Sequence, residues 1–279
     1  MSQRKIAILK ERPKKDENNS IWLSVSKVKT FGDCKAKYKF GYIEKLPRKT
    51  WEHHVFGKFA HEALERFHQK MIDGATDPYH YLMTLSFKET SDTWKDKISK
   101  ENKKEIWNIL NNYLKLLADE KNAGLLPNFL EVEKQFYIDI DGKLLLNGFI
   151  DRVQLDHDGV MHVTDYKTSK SKKYLANDFL QLKTYAYVMC AIDPNLEKVR
   201  TSYMMLRHNC ELLVKEFTRK EIMGIENLFI KYAKDINEEK SWKPNTSPLC
   251  SYCDFLSFCD EGIKSVRKKN NIKFGVTEW

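Results

Sequence analysis

Phe59, Ala60, Ala63, Leu64 and Phe67 recur at helical spacing between Phe56 and Asp73, and Gly74 follows as a stop, so the pattern predicts an amphipathic helix. Leu82, Leu85 and Phe87, then Ile106, Ile109, Leu110, Tyr113 and Leu117, continue the same period, which makes residues 55–125 a helical block. Upstream of it, Ser24 or Ser26 can cap a helix running to about Gly41. From Glu131 the period changes to two. Val132, Lys134, Phe136 and Ile138 alternate with polar or acidic partners up to an Asp141-Gly142 turn. Leu144 to Asp156 and Val160 to Thr168 read as two further strands joined by the hairpin signal Asp158-Gly159, so a three-stranded antiparallel meander is predicted. A helix over Phe179 to Ile192, strands over Val199 to Leu206 and Leu212 to Phe217, and a closing helix over Arg219 to Asn237 complete the pattern.

The meander brings chemistry together. If Asp158 and Gly159 alone form the loop, Asp151 lies opposite Tyr166; a three-residue loop or one bulge places it opposite Asp165. In both cases the two carboxylates come within roughly 5 to 8 Å of each other. Side chains alternate along a strand, so Asp165 and Lys167 share a face, and two acids and one amine converge. Like charges that close need a cation between them, and a hard divalent ion, Mg²⁺ or Mn²⁺, suits carboxylate oxygens. Gly148, inside a strand, points to close approach by another backbone or a ligand.

Composition narrows the partners. The 279 residues carry 48 Lys and Arg against 39 Asp and Glu, a net charge of +9, which favours a polyanion. Residues 1–20, Arg4, Lys5, Arg12, Lys14 and Lys15 among them, have the composition of a flexible basic arm. Residues 263–279, with Lys264, Arg267, Lys268, Lys269 and Lys273, form a basic tail. The chain has no long apolar run and no secretory leader pattern, so a soluble, cytoplasmic protein without a membrane partner is expected. No G-x-x-x-x-G-K-[ST] occurs, which argues against an ATP motor.

Six cysteines in such a chain speak against a disulfide framework. Cys190 and Cys210 fall where packing residues are expected. Cys250, Cys253 and Cys259 instead form C-x2-C-x5-C in a loop over 244–262, between prolines and a charged tail. Three thiols there read as soft-metal ligands for zinc or an iron–sulfur cluster, with a fourth ligand from elsewhere.

Gly148-x-Ile150-Asp151-Arg152 followed by Asp165-Tyr166-Lys167-Thr168 resembles the core of the PD-(D/E)xK nuclease superfamily in its RecB-like branch, although the proline of the family name is absent. The resemblance implies an α/β fold with a restriction-endonuclease-like core. A mixed central sheet is flanked by helices, with a helical insertion and a C-terminal cysteine cluster. One nuclease domain then covers residues 21–262. The segment from Leu23 to Phe40 is similar to the first helix of that branch, with Lys35 in place of the usual proline, and this makes Cys34 the fourth cluster ligand. One cysteine at the start and three at the end resemble the iron–sulfur subgroup, which includes AddB and the nuclease of CRISPR adaptation, and imply [4Fe-4S], with zinc as the alternative.

The same resemblance assigns the rest of the site. Gly57-x-x-x-His61-x-x-Leu64-Glu65 is similar to the helix whose histidine ligates the metal. Gln181-Leu182-x-x-Tyr185 resembles an element beside the catalytic centre and the DNA backbone, and Arg152 joins these as a DNA contact. Glu133 matches an acid near the metal and can approach Asp151 across the Asp141-Gly142 hairpin. The implied ligands are His61, Asp151, Asp165 and the Tyr166 carbonyl; Asp151, Asp165, Lys167, Gln181 and Glu133 are the implied catalytic set. The expected activity is a metal-dependent DNA exonuclease acting on single strands or DNA ends in phage or prokaryotic recombination, repair or replication, alongside other proteins of those processes. A nuclease of CRISPR adaptation, a non-catalytic iron–sulfur DNA-binding subunit and a zinc-stapled interaction module are the alternatives.

Overall fold

The computed structural model describes residues 5–14, 20–173, 175 and 178–273, with side chains to 268. Arg4 and Lys15 of the expected arm, residues 274–279 of the expected tail and the side chains of Lys269 and Lys273 lie outside the described residues. In chain order the elements are β1 (Ile6–Leu9), β2 (Ile21–Leu23), α1 (Val25–Asp33), α2 (Lys35–Tyr38) and a π-helical turn (Lys39–Ile43). There follow α3 (Glu52–Ile72), α4 (Tyr79–Thr93), α5 (Lys100–Asn122), β3 (Asn128–Ile140), β4 (Leu144–Leu155) and β5 (Met161–Lys167). The remainder is α6 (Leu180–Ile192), β6 (Lys198–Met205), β7 (Glu211–Thr218), α7 (Arg219–Ile222), α8 (Glu226–Glu238) and α9 (Asp260–Lys273).

The described residues divide into two compact units, Met1–Ser20 with Trp51–Glu226, and Ile21–Thr50 with Asn227–Trp279. In the first, the strands run in the order β1-β3-β4-β5-β6-β7. Only β5 and β6 pair in parallel, across the α6 crossover; the neighbours on either side are antiparallel. The mixed sheet carries helices on its faces, as expected. Phe56, Phe59, Ala63, Leu64 and Phe67 of α3 pack with Ile106, Leu110 and Tyr113 of α5 and with Phe129, Tyr166 and Met204 of the sheet. Ile6–Leu9, expected in the arm, forms an edge strand on the end of β3, since four consecutive apolar residues suffice once a long strand offers its edge.

The β4–β5 hairpin has a three-residue loop, with Asp156 N–H donating to the Val160 carbonyl at 3.0 Å. The ladder runs from Leu155 opposite Met161 to Arg152 opposite Thr164, so Asp151 stands at the level of Asp165. Gly148 lies opposite Phe136, and a Cβ there would meet the Phe136 ring at 2.7 Å. The close approach foreseen at Gly148 is therefore made by a side chain, and that ring supports Tyr185 edge-to-face.

In the second unit the chain breaks at Cys34 instead of continuing one helix to Gly41. Ser24 caps α1, and Cys34 is extended (φ −160°, ψ 112°) so that its sulfur accepts the Lys37 N–H at the start of α2. Phe31 meets Tyr38, Tyr232 and Trp242 edge-to-face, and Lys35 pairs with Glu239. The expected closing helix is interrupted at Gly224 (φ +84°), and the expected tail is helical through Lys273. Among the described residues no helix is long and apolar enough to cross a membrane.

Candidate metal and catalytic site

Beyond Arg152 and Thr164 the β4–β5 ladder opens, and the Asp151 carboxylate takes the place of a strand carbonyl. Its Oδ2 accepts the Tyr166 N–H at 2.7 Å. His61 of α3 enters the same gap, with Nε2 at 3.0 Å from the Tyr166 carbonyl and Nδ1 at 3.4 Å from Asp151 Oδ2. Alternation on β5 then sorts the neighbours. Thr164 and Tyr166 face α3 and α5, while Asp165 and Lys167 face α6, where they meet Gln181 and Tyr185.

Glu133 stands opposite Asp151 in the β3–β4 register, between the pairs Val132–Arg152 and Lys134–Ile150. Its φ of +46° is left-handed, a conformation that costs a non-glycine residue on the order of 1 kcal/mol or more. The result is a tight donor set. Ligand atoms of His61, Glu133 and Asp151 lie within 4.8 Å of one another, the one such group of three or more His, Cys, Asp or Glu among the described residues. Hard oxygen and imidazole donors at that spacing fit a divalent cation.

The electrostatics agree. Burial pushes the Glu133 carboxyl up to about 7, and the neighbouring Asp151 and Glu65 add to the effect. Burial raises the Asp165 carboxyl too, reinforced by Asp151 and opposed by Lys167. Burial opposes charge on His61, yet Asp151 outweighs it and lifts the imidazole to about 9. Asp151 itself is held low against burial by His61 and the Tyr166 N–H. Crowded carboxylates that depend on a protonated histidine form a site for positive charge.

Asp165 lies behind this set. Its carboxylate, 2 % exposed, is taken up by Lys167 Nζ at 2.5 Å, Gln181 Nε2 at 2.8 Å and the Tyr185 hydroxyl at 3.3 Å. Gln181 is fixed at both ends. Nε2 donates to Asp165 and Tyr185, which leaves Oε1 to accept from Lys167 Nζ at 3.1 Å.

Two expected DNA contacts are placed differently. Tyr185 is 5 % exposed and turns its hydroxyl to Asp165 and Gln181. Arg152 is 3 % exposed, stacked among the Tyr113, Phe129 and Tyr166 rings and bonded to the Tyr113 and Thr164 hydroxyls. Alternation explains it: if Asp151 serves the opened edge, Arg152 must point into the core. A cleft of about 910 Å³ extends from His61, Glu133 and Asp151 along α3, lined also by Glu62, Glu65 and Trp94. Glu65, one helical turn after His61, was legible from that spacing; Trp94 carried no signal.

The second unit holds all four predicted cluster cysteines. Backbone N–H groups of Lys37 and Asn245 donate to Cys34 Sγ, that of Ser247 to Cys250 Sγ and that of Gly262 to Cys259 Sγ, at 3.3 to 3.5 Å. Burial raises the Cys253 and Cys259 thiols against the N–H groups of Phe255 and Gly262, and Cys34 is near enough to raise both further. Thiols that burial keeps protonated, yet with N–H donors aimed at sulfur, fit a soft metal that deprotonates them.

A profile of the PD-(D/E)XK nuclease superfamily matches residues 22–260. Among curated proteins, an ATP-dependent helicase/deoxyribonuclease subunit of Clostridium perfringens is 28 % identical over 238 residues, covering 67 % of this chain and 19 % of its own length. The protein of the same name from Streptococcus pyogenes serotype M3 is 22 % identical over 183 residues, covering 62 % and 17 %. The chain thus spans less than a fifth of these relatives. A solved Eubacterium rectale structure with a provisional exonuclease assignment superposes with a TM-score of 0.52 at 13 % identity, covering 87 % of this chain and 92 % of that one, and shares the fold. With the profile spanning both the opened β4–β5 edge and the cysteines, this chain belongs to the PD-(D/E)XK nuclease superfamily.

Proposed function

We propose that the protein is a metal-dependent deoxyribonuclease that hydrolyses phosphodiester bonds at DNA ends or in single strands. The observation that carries this is the convergence of His61, Glu133 and Asp151 beside the Asp165–Lys167–Gln181 relay. A divalent cation held by His61, Glu133, Asp151 and the Tyr166 carbonyl would make water acidic enough to attack at neutral pH and would offset phosphate charge. Asp165, whose Oδ2 is now paired with Lys167, would add a further carboxylate oxygen to that set.

The chain's own residues do the rest. Lys167 places a positive charge where a pentavalent phosphate gains negative charge, and it holds the attacking water in line. Gln181 keeps that ammonium aimed, because its amide is locked by Asp165 and Tyr185. Polyanion binding falls to the basic surface. Ile21–Thr50 and Asn227–Trp279 contain 17 Lys and Arg against 9 Asp and Glu, hence +8 of the net +9. The relatives are named as helicase/deoxyribonuclease subunits, which supports DNA as substrate and helicase subunits as partners.

Cleavage of end-labelled single- and double-stranded DNA with Mg²⁺ or Mn²⁺ tests the reading. The wild type should shorten the labelled strand, and Asp165→Ala should bind DNA but not cut it. Full activity in Asp165→Ala would contradict the assignment; an intact wild type that binds without cutting would make it a non-catalytic DNA-binding protein.

The four cysteines are proposed to hold a [4Fe-4S] cluster. The arrangement of Cys34 with Cys250, Cys253 and Cys259 and the backbone N–H groups aimed at their sulfurs support this reading. Anaerobically purified wild type should be brown with a broad visible absorbance, and Cys250→Ser should lose it. A colourless protein containing stoichiometric zinc would overturn this.

A further inference from the structure

We propose that Tyr203 is a positioning residue for Lys167, holding its ammonium over the face of the ring. This rests on the reading of Lys167 as the cation of the cleavage site. Tyr203 lies on β6 directly beside Asp165 in the parallel pairing with β5, so its ring shares the α6 side of the sheet with Asp165 and Lys167. It is fully buried, and Lys167 Nζ sits 5.0 Å from its ring centroid. The Tyr203 hydroxyl donates to the Asp178 carbonyl at 2.9 Å, just ahead of the helix that carries Gln181 and Tyr185. The ring is thereby fixed at both ends.

The need for it follows from the lysine stem. Four rotatable carbons allow many positions, and a point-charge ammonium has no planar geometry to hold it. Two polar groups meet Lys167: Asp165 Oδ2 and Gln181 Oε1. The first is the oxygen that a cation would claim. Once it does, Gln181 alone cannot define a direction, whereas an aromatic face below the ammonium supplies a second fixed contact that no cation competes for. A partly buried ammonium within about 6 Å of a ring centroid is attracted to the ring face. Tyr203 therefore keeps Lys167 aimed when Asp165 is engaged.

Three variants separate this from a packing role. Tyr203→Leu is expected to lower kcat about 10- to 30-fold with KM and Mn²⁺ affinity unchanged. Tyr203→Phe, which loses the bond to Asp178 but keeps the ring, should restore the rate. In a Lys167→Met background Tyr203→Leu should cost nothing further. Equal loss in the Phe and Leu variants, or additive loss in the double variant, would overturn the proposal. A second measurement needs neither cleavage nor a folded Leu variant. In protein carrying ¹³C at the lysine ε-carbons, the Lys167 ε-methylene should be shifted upfield by the ring current, and an ordinary shift would overturn the placement. A wild type that cut no DNA would refute the cleavage reading, and the spectrum would still decide the contact.

Discussion

Asp151→Asn is expected to lower metal-dependent DNA cleavage by at least about 10³-fold while leaving the fold and DNA binding in place. Asparagine is nearly isosteric, and its Oδ1 can still accept the Tyr166 N–H that Asp151 Oδ2 now takes at 2.7 Å. What disappears is the negative charge that faces His61 and closes the donor set with Glu133. The variant should therefore lose Mn²⁺ affinity in a calorimetric titration, while loss of the ion pair with His61 lowers the melting temperature of the metal-free state by no more than about 5 °C. DNA binding should change by less than about twofold, because phosphate contacts on a basic surface dominate affinity. Loss of folding together with activity would assign Asp151 a structural role instead.

Lys167→Met is the second large effect, and its signature differs. The stem is preserved and the ammonium removed, so single-turnover cleavage should fall about 10²- to 10³-fold, the usual cost of deleting one preorganised electrostatic contact. Mn²⁺ affinity should hold or rise, since Asp165 Oδ2 loses its partner at 2.5 Å and becomes free to bind. Lys167→Arg should not restore the rate, because a planar fork cannot occupy the point between Asp165 Oδ2, Gln181 Oε1 and the Tyr203 ring. A Lys167 variant that cleaved normally but bound metal poorly would reverse the roles given to the two residues.

The pair Asp151 and Asp165-x-Lys167 was legible because strand alternation and a turn signal fix relative position over short distances. The sequence left two registers open at that hairpin, and the loop of His157, Asp158 and Gly159 selects the one that levels Asp151 with Asp165. Opening of the ladder past Arg152 was not legible, nor was the positive φ of Glu133. Both depend on the helix that drives His61 into the gap, and local propensity carries no trace of a contact between residues 61 and 166.

Arg152 shows the converse failure. The resemblance made Arg152 a DNA contact, but adjacent residues on a strand face opposite ways, so assigning Asp151 to the site already sent Arg152 inward. Tyr203 lay in an apolar strand with nothing to set it apart, since only the parallel pairing across α6 brings it to Lys167. The charge imbalance was visible in the total of +9. Its concentration in Ile21–Thr50 and Asn227–Trp279 required knowing that these distant segments form one unit.

Chelation tests the central claim most directly. Protein purified anaerobically and treated with EDTA should leave end-labelled DNA intact, and titration of Mg²⁺ or Mn²⁺ past the chelator should restore cleavage in the wild type but not in Asp151→Asn. Cleavage that persists in EDTA would contradict a metal site built from His61, Glu133 and Asp151.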